Sequence, residues 1–243
     1  MALLSAVKTL HIDGIGEVLL KKSHDARYMR LRVDQKEGII LTLPQIFSEQ
    51  HALRFLHDKK RWIQRSMLRQ QKIKNQHTVF TENSGFRTRM HTLYLARHCK
   101  STIKSVVSGD KIMVWFPDHA PAEHPKIQQV IRKAVEEAWR VEAKRFLPVR
   151  VNELASRFNF QYNRLTVKNA KTRWGSCSAS NNINLNLQLM RLPDRLIDYV
   201  ILHELTHTVH KNHQKSFWNA LESIFPSARI TDKELNKYHL QYW

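Results

Sequence analysis

The sequence predicts an α+β fold with a strand-rich amino-terminal region and a helical carboxy-terminal region. Short runs of β-branched and other apolar residues, separated by glycine, proline or polar turns, fill much of the first 117 residues and are typical of strands. Beyond residue 123, apolar residues recur three and four positions apart, as on the buried face of a helix. We therefore expect one region over residues 1–117 and a second over residues 123–243. A proline-rich segment, 117–125, joins them.

The first region is predicted to hold six strands and one long helix. Apolar residues at helical spacing begin after Ser48, a residue type that favours the start of a helix. This helix is strongly basic and carries Trp62 among its cations. The strands are expected at 15–21, 28–33, 39–43, 91–96, 103–107 and 111–116.

The second region begins with a long amphipathic helix that Pro148 is expected to kink or divide. A short strand at 165–167 and an alternating strand at 183–187 follow. The apolar run 196–209 then predicts a buried helix. A second amphipathic helix after it is stopped by Pro226.

The helix predicted over 196–209 carries the pentad His203-Glu204-Leu205-Thr206-His207. Its two histidines are four positions apart and project from one helix face, so both imidazoles can reach one metal ion. Glu204 points away from that line, where it can meet a metal-bound water as a general base. The pattern predicts a zinc-dependent hydrolase. A helix with two surface histidines is the simpler alternative, and the apolar stripe around the pentad disfavours it.

Catalytic zinc needs a third protein ligand and keeps its fourth position for water. In a continuous helix His210 would lie about 10 Å along the axis from His203, too far for bonds of about 2 Å. Lys211-Asn212 is a suitable helix stop, because Asn tolerates the left-handed conformation that ends helices. His213 follows at once and is the predicted third ligand, with Glu222 of the next helix as the main alternative.

Two motifs at fixed spacing resemble the YgjP-like metallopeptidase family, a relative of the SprT-like zinc peptidases. The first is the pentad, followed after five residues by His213-x-x-x-Phe217-Trp218. The second is Lys171-Thr-Arg-Trp-Gly-Ser-Cys-Ser178, followed by Asn182-Ile-Asn-Leu185. The resemblance covers nearly the full length of the chain. It departs from the family pattern at 86–94, where a glycine-containing hairpin is usual.

The resemblance implies the zinc ligands His203, His207 and His213 and the catalytic residue Glu204. It also implies a zincin-like core of helices on a small sheet whose edge lies over the metal. An extended peptide can add to such an edge through main-chain hydrogen bonds. The strand at 183–187 is either that edge or a plain core strand.

The block that precedes the metal helix offers further candidate contacts. Lys171 and Arg173 are cations, one of which could stabilise an oxyanion or hold a substrate carboxylate or phosphate. The alternative is that both belong to a solvated basic turn. Gly175 is interpreted as a residue that permits either a tight turn or the close approach of the backbone to a neighbouring group. Cys177 is interpreted as a structural thiol rather than a metal ligand.

Charge and composition indicate which binding partners and which cellular compartment are expected. The chain has 40 Lys and Arg against 21 Asp and Glu, a formal charge of +19 that attracts polyanions. Nucleic-acid contacts are predicted on the basic helix at Lys60, Arg61, Arg65 and Arg69, with a solvated helix face as the alternative. Two cysteines without paired spacing, no secretory signal and no apolar run near 18 residues predict a soluble cytoplasmic protein.

Three functions remain open at this point. The pentad favours a zinc metallopeptidase that uses a Glu204-activated, zinc-bound water. A zinc-dependent nucleoside triphosphate pyrophosphohydrolase is the first alternative, because Lys171, Arg173 and the overall charge suit a polyphosphate. The second alternative is a nucleic-acid-associated protein with a non-catalytic metal site, and the presence of Glu204 argues against it.

Overall fold

The computed structural model describes residues 7–34, 37–74 and 78–240, without the side chains of 69–74. The chain forms two compact units, Met1–His77 and Thr78–Trp243. The boundary predicted between 117 and 123 therefore falls inside the second unit. The reason is that the strands just before it pack on the long helix just after it.

The first unit is built on a four-stranded sheet. In chain order the strands are β1 (Val7–Ile12), β2 (Gly16–Ser23), β3 (Arg30–Asp34) and β4 (Gly38–Pro44), and their spatial order is β1-β2-β4-β3. The central β2–β4 pair is parallel and both outer pairs are antiparallel. Strand β1 escaped prediction because most of its side chains are exposed, so it lacks a clear apolar alternation.

Two helices complete the first unit where one was predicted. Helix α1 (Glu49–Asp58) begins after Ser48 as expected. The helix is interrupted at Lys59, and α2 (Lys60–Lys74) begins at the next residue. Ile63 is fully buried in the core of this unit. Trp62, Arg61 and Arg65 on the same helix are exposed.

The second unit opens with a sheet and a long helix. The sheet contains β5 (Thr92–His98), β6 (Lys104–Ser108) and β7 (Lys111–Pro117) in the order β5-β7-β6, close to the predicted positions. Helix α3 (Pro125–Arg157) contains Pro148, so no new helix starts there; a kink or a new helix was predicted. Leu147 and Val151 on either side of the proline are fully buried, so core packing holds both halves in one helix.

A second small sheet and three helices form the rest of this unit. The strands are β8 (Arg164–Lys168), β9 (Gly175–Cys177) and β10 (Asn182–Asn186), and the helices are α4 (Asp194–Thr206), α5 (Lys215–Ile224) and α6 (Ala228–Leu235). The sheet order is β8-β10-β9, so of the two alternatives for the strand at 183–187 the central core strand is right and the sheet edge is wrong. The edge beside α4 is β9, which has only three residues and therefore gives no alternation to detect. The whole is a mixed α+β protein, as predicted, and no described helix is long and apolar enough to span a membrane.

Candidate metal centre

Three imidazoles meet at the end of helix α4. His203 lies in its last turn, His207 caps its carboxyl end, and His213 lies in the loop before α5. The Nε2 atom of His213 is 3.0 Å from that of His203 and 3.1 Å from that of His207. Two nitrogens bound tetrahedrally to one zinc ion at 2.0–2.1 Å would lie about 3.3 Å apart, so the three side chains fit one metal ion. Among the described residues, they are the one group of histidine, cysteine and acidic side chains close enough to share an ion.

His213 reaches this position because helix α4 ends early. The helix stops at Thr206, five residues before the predicted stop at 211–212. Two threonine hydroxyls donate to backbone carbonyls at this end, Thr206 to Leu202 and Thr208 to Leu205. Such local bonds compete with the regular helical pattern and favour a turn. The chain therefore reverses between the second and third histidines.

The surroundings hold the imidazoles in place and keep water away from one side. Phe217 is fully buried on α5. The centroid of its ring lies 4.9, 4.6 and 4.7 Å from the ring centroids of His203, His207 and His213. The Nδ1 atom of His207 is 2.9 Å from the carbonyl oxygen of His210. Donation to this carbonyl leaves Nε2 of His207 with a lone pair that faces the other two rings.

Burial also keeps His203 and His207 neutral in the absence of a metal. It lowers the pKa of His203 to about 3, and the neighbouring His207 and His213 lower it further. Burial likewise lowers the pKa of His207. A neutral imidazole is the form that binds a metal, so the site is prepared for a cation at physiological pH.

Glu204 directly follows His203 on helix α4. Its side chain is buried, and within the described part of the chain its Oε2 atom has no hydrogen-bond partner. Burial raises the pKa of Glu204 to about 8, against the lowering effect of the Arg173 charge. An unsatisfied buried carboxyl oxygen with a pKa near neutrality is typical of a general acid or base.

The edge strand β9 passes directly over this carboxylate. A Cβ atom placed on Gly175 would lie 2.6 Å from Oε1 of Glu204 and 2.7 Å from its Cγ. The backbone dihedral of Gly175 is not in the left-handed region, so the glycine is required by this close approach and not by a turn.

The model of the YgjP-like metallopeptidase domain matches residues 27–238 of the chain. The chain belongs to the YgjP-like family. The resemblance seen in the two motifs is thereby confirmed. Membership of this family means that the chain carries a metallopeptidase domain, and metallopeptidases are metal-dependent hydrolases. The match spans parts of both compact units.

Several solved structures are similar to this YgjP-like protein over part of its length. The metallopeptidase zymogen of Pyrococcus abyssi abylysin is 22% identical, with a TM-score of 0.35, over 40% of this chain and 97% of that one. The Methanocaldococcus jannaschii jannalysin zymogen is 28% identical, with a TM-score of 0.33, over 37% and 91%. Wss1 from Saccharomyces cerevisiae is 16% identical, with a TM-score of 0.28, over 61% and 96%. The comparison with curated proteins gave no match.

Asn186 is a residue of this YgjP-like site that sequence reasoning missed. It is 1% exposed, and its amide nitrogen donates to the carbonyl oxygens of Ala170 and Arg173 at 2.7 and 2.9 Å. Its backbone N–H donates to the carbonyl of Trp174. Asn186 therefore fixes the loop that delivers Arg173 and Gly175 to Glu204. The sequence shows Asn186 only as one of the polar positions of an alternating strand. That pattern does not distinguish a buried polar side chain from a solvated one.

The other candidate residues are placed less centrally. Lys171 is exposed, while Arg173 acts electrostatically on Glu204. Glu222, the alternative third ligand, faces Arg229 at 3.7 Å. Cys177 is partly buried in β9, and burial raises the pKa of its thiol.

The candidate nucleic-acid contacts lie in the first unit. Lys60, Arg61 and Arg65 project from α2, where both arginines are exposed. The side chain of Arg69 lies outside the described residues.

Proposed function

We propose that this protein is a zinc-dependent peptidase in which His203, His207 and His213 hold the metal and Glu204 is the general base. One observation carries the proposal: three imidazole nitrogens converge at the helix that also carries a buried carboxylate with an unsatisfied oxygen, Glu204. Neutral nitrogen ligands together with an open position suit catalytic zinc. A purely structural site would have no need of the carboxylate.

The protein's own groups then carry the protons. Zinc bound here would polarise the scissile carbonyl and acidify a water molecule. Glu204 accepts the proton of the attacking water at its carboxylate and returns it to the leaving amine nitrogen. In the metal-free site burial raises the pKa of Glu204 to about 8, and the positive charge of a bound zinc ion would favour the ionised carboxylate that accepts this proton. We assign Arg173 to the developing oxyanion or to a substrate carboxylate, since its charge already acts on this site.

A peptide substrate has a natural place beside β9. This strand ends its sheet on the side away from β10, and it passes over Glu204 at Gly175. An extended peptide that pairs with the edge would gain main-chain hydrogen bonds without regard to its sequence. Pairing would bring a backbone carbonyl next to the catalytic carboxylate, which favours a peptide over a nucleotide as substrate.

The test compares zinc-loaded wild type with Glu204→Gln on casein and, separately, on nucleoside triphosphates. We expect casein cleavage that falls about 10² to 10⁴-fold in the variant while zinc is retained. Glu222→Gln is the matched control, because it makes the same substitution at a different glutamate of this unit. The carboxylate of Glu222 faces Arg229. This control variant should leave the rate unchanged. Release of pyrophosphate without casein cleavage would replace the peptidase with the nucleotide hydrolase.

Nucleic-acid binding by helix α2 is a second candidate function, independent of the metal. Trp62 is 48% exposed and is flanked by the exposed Arg61 and Arg65 on a helix that contains no acidic residue. Exposed aromatics among cations are typical of surfaces that stack bases and contact phosphates. We propose that this helix recruits DNA or RNA to the peptidase.

A further inference from the structure

A buried tyrosine connects the metal helix to the carboxy-terminal helix. Tyr199 precedes His203 by one turn on α4 and is 1% exposed. Its hydroxyl donates a hydrogen bond to Oδ1 of Asp232 on α6 at 2.9 Å. The same hydroxyl oxygen lies 3.4 Å from Nδ1 of His203. The Tyr199 hydroxyl thus connects a carboxylate to a candidate metal ligand.

The direction of these bonds follows from counting protons. A tyrosine hydroxyl has a single proton, and in this arrangement it points to Asp232. Toward His203 the oxygen can therefore only accept, which requires the imidazole proton to be on Nδ1. The Nε2 atom, which faces His213 at 3.0 Å, then keeps its lone pair. This is the tautomer that a metal at Nε2 requires.

We propose that Asp232 and Tyr199 form a positioning pair that fixes the tautomer and ring orientation of His203 and so raises its affinity for the metal. The proposal rests on His203 being a metal ligand, as argued above. The surroundings strengthen the effect: the Tyr199 ring packs against Phe225 at 5.6 Å and against the His203 ring at 5.8 Å. An apolar environment makes the carboxylate's influence on the imidazole stronger than it would be in water.

Helices α4 and α6 are joined by a second link that offers a matched control. Arg195 donates to the hydroxyl of Thr231 at 2.8 Å and pairs with Glu234. No contact of Arg195 with His203 is seen among the described residues. Arg195→Gln therefore weakens the same helix–helix contact as Asp232→Asn without touching the tautomer. A purely structural role for Tyr199 and Asp232 would make these variants alike.

The experiment measures the zinc dissociation constant by competition with a chromophoric chelator and the thermal midpoint of the zinc-free proteins. Tyr199→Phe keeps the ring, and Asp232→Asn keeps the size. Both should bind zinc about 10 to 100-fold more weakly than wild type. Arg195→Gln should lower the midpoint, since it removes two contacts between α4 and α6, and leave the zinc affinity unchanged.

Two outcomes would overturn the pair. One is wild-type zinc affinity in both Tyr199→Phe and Asp232→Asn, and the other is an equal loss of affinity in Arg195→Gln. His203→Ala separates this failure from that of the proposed function. If His203→Ala binds zinc as wild type does, the metal site itself is misplaced. If it loses zinc while Tyr199→Phe does not, only the positioning pair is refuted.

Discussion

Gly175→Ala is a minimal change aimed at the catalytic base. The added methyl carbon would lie 2.6 Å from Oε1 of Glu204, 2.7 Å from Cγ and 2.9 Å from Cδ. Ordinary contact begins at 3.4 Å, so the carboxylate must move by about 0.8 Å (3.4 − 2.6). A displacement of about 1 Å at a reacting group costs about 10²-fold in rate. We therefore expect kcat to fall about 10 to 100-fold, with KM little changed and zinc retained.

The assay follows cleavage of a fluorogenic peptide, with zinc content measured on the same samples. Ser176→Ala is the control on the same strand, because its hydroxyl contacts Asn184 at 3.3 Å and a loss there should not move Glu204. Glu204→Asp shortens the base by one methylene and leaves room for the methyl group. Gly175→Ala should therefore cost less in that background than in wild type. A wild-type kcat in Gly175→Ala, or loss of activity only together with zinc, would refute the reasoning.

Three further predictions concern the metal, the pH dependence and the basic helix. His213→Ala should purify with little zinc and Glu222→Ala with the wild-type amount; the reverse would make Glu222 the third ligand. In zinc-free protein, burial raises the pKa of Glu204 to about 8, above its unfolded value near 4.5, so its ionisation destabilises the fold as pH rises through this range. Glu204→Gln should then raise the thermal midpoint relative to wild type at about pH 8.5 and have no effect near pH 4, and an equal gain at both pH values would contradict this. For nucleic acid, Arg65→Gln should reduce the slope of log affinity against log salt by about 0.7 to 0.9 for the lost phosphate contact, whereas Trp62→Ala should lower affinity at an unchanged slope. Identical slopes and affinities in wild type and both variants would mean that this face is only solvated.

Local rules were enough to predict the parts of the site that lie within one helix. The pairing of His203 and His207 follows from the period of the helix, and the same period marks the apolar stripe around them. His213 was harder, because its position depends on where α4 ends. The prediction placed that end at Lys211-Asn212, whereas the threonine hydroxyls near Thr206 end the helix earlier.

Features that depend on distant residues were not predictable from local pattern. The partner of Tyr199 is Asp232, which lies 33 positions along the chain on a helix that was not predicted. The burial of Asn186 depends on three carbonyls of a loop far from it in sequence. The edge position of β9 depends on the pairing of three short strands, and period-two alternation does not specify which strand is central.

X-ray absorption at the zinc edge of the zinc-loaded protein tests the central claim most directly, because it reports the atoms bound to the metal. Coordination by His203, His207 and His213 predicts three imidazole nitrogens at about 2.0–2.1 Å, with any remaining ligand a light atom. A sulfur at about 2.3 Å would bring a cysteine into the coordination, with Cys177 of β9 as the candidate. That result, or fewer than three imidazole nitrogens, would contradict the proposed centre.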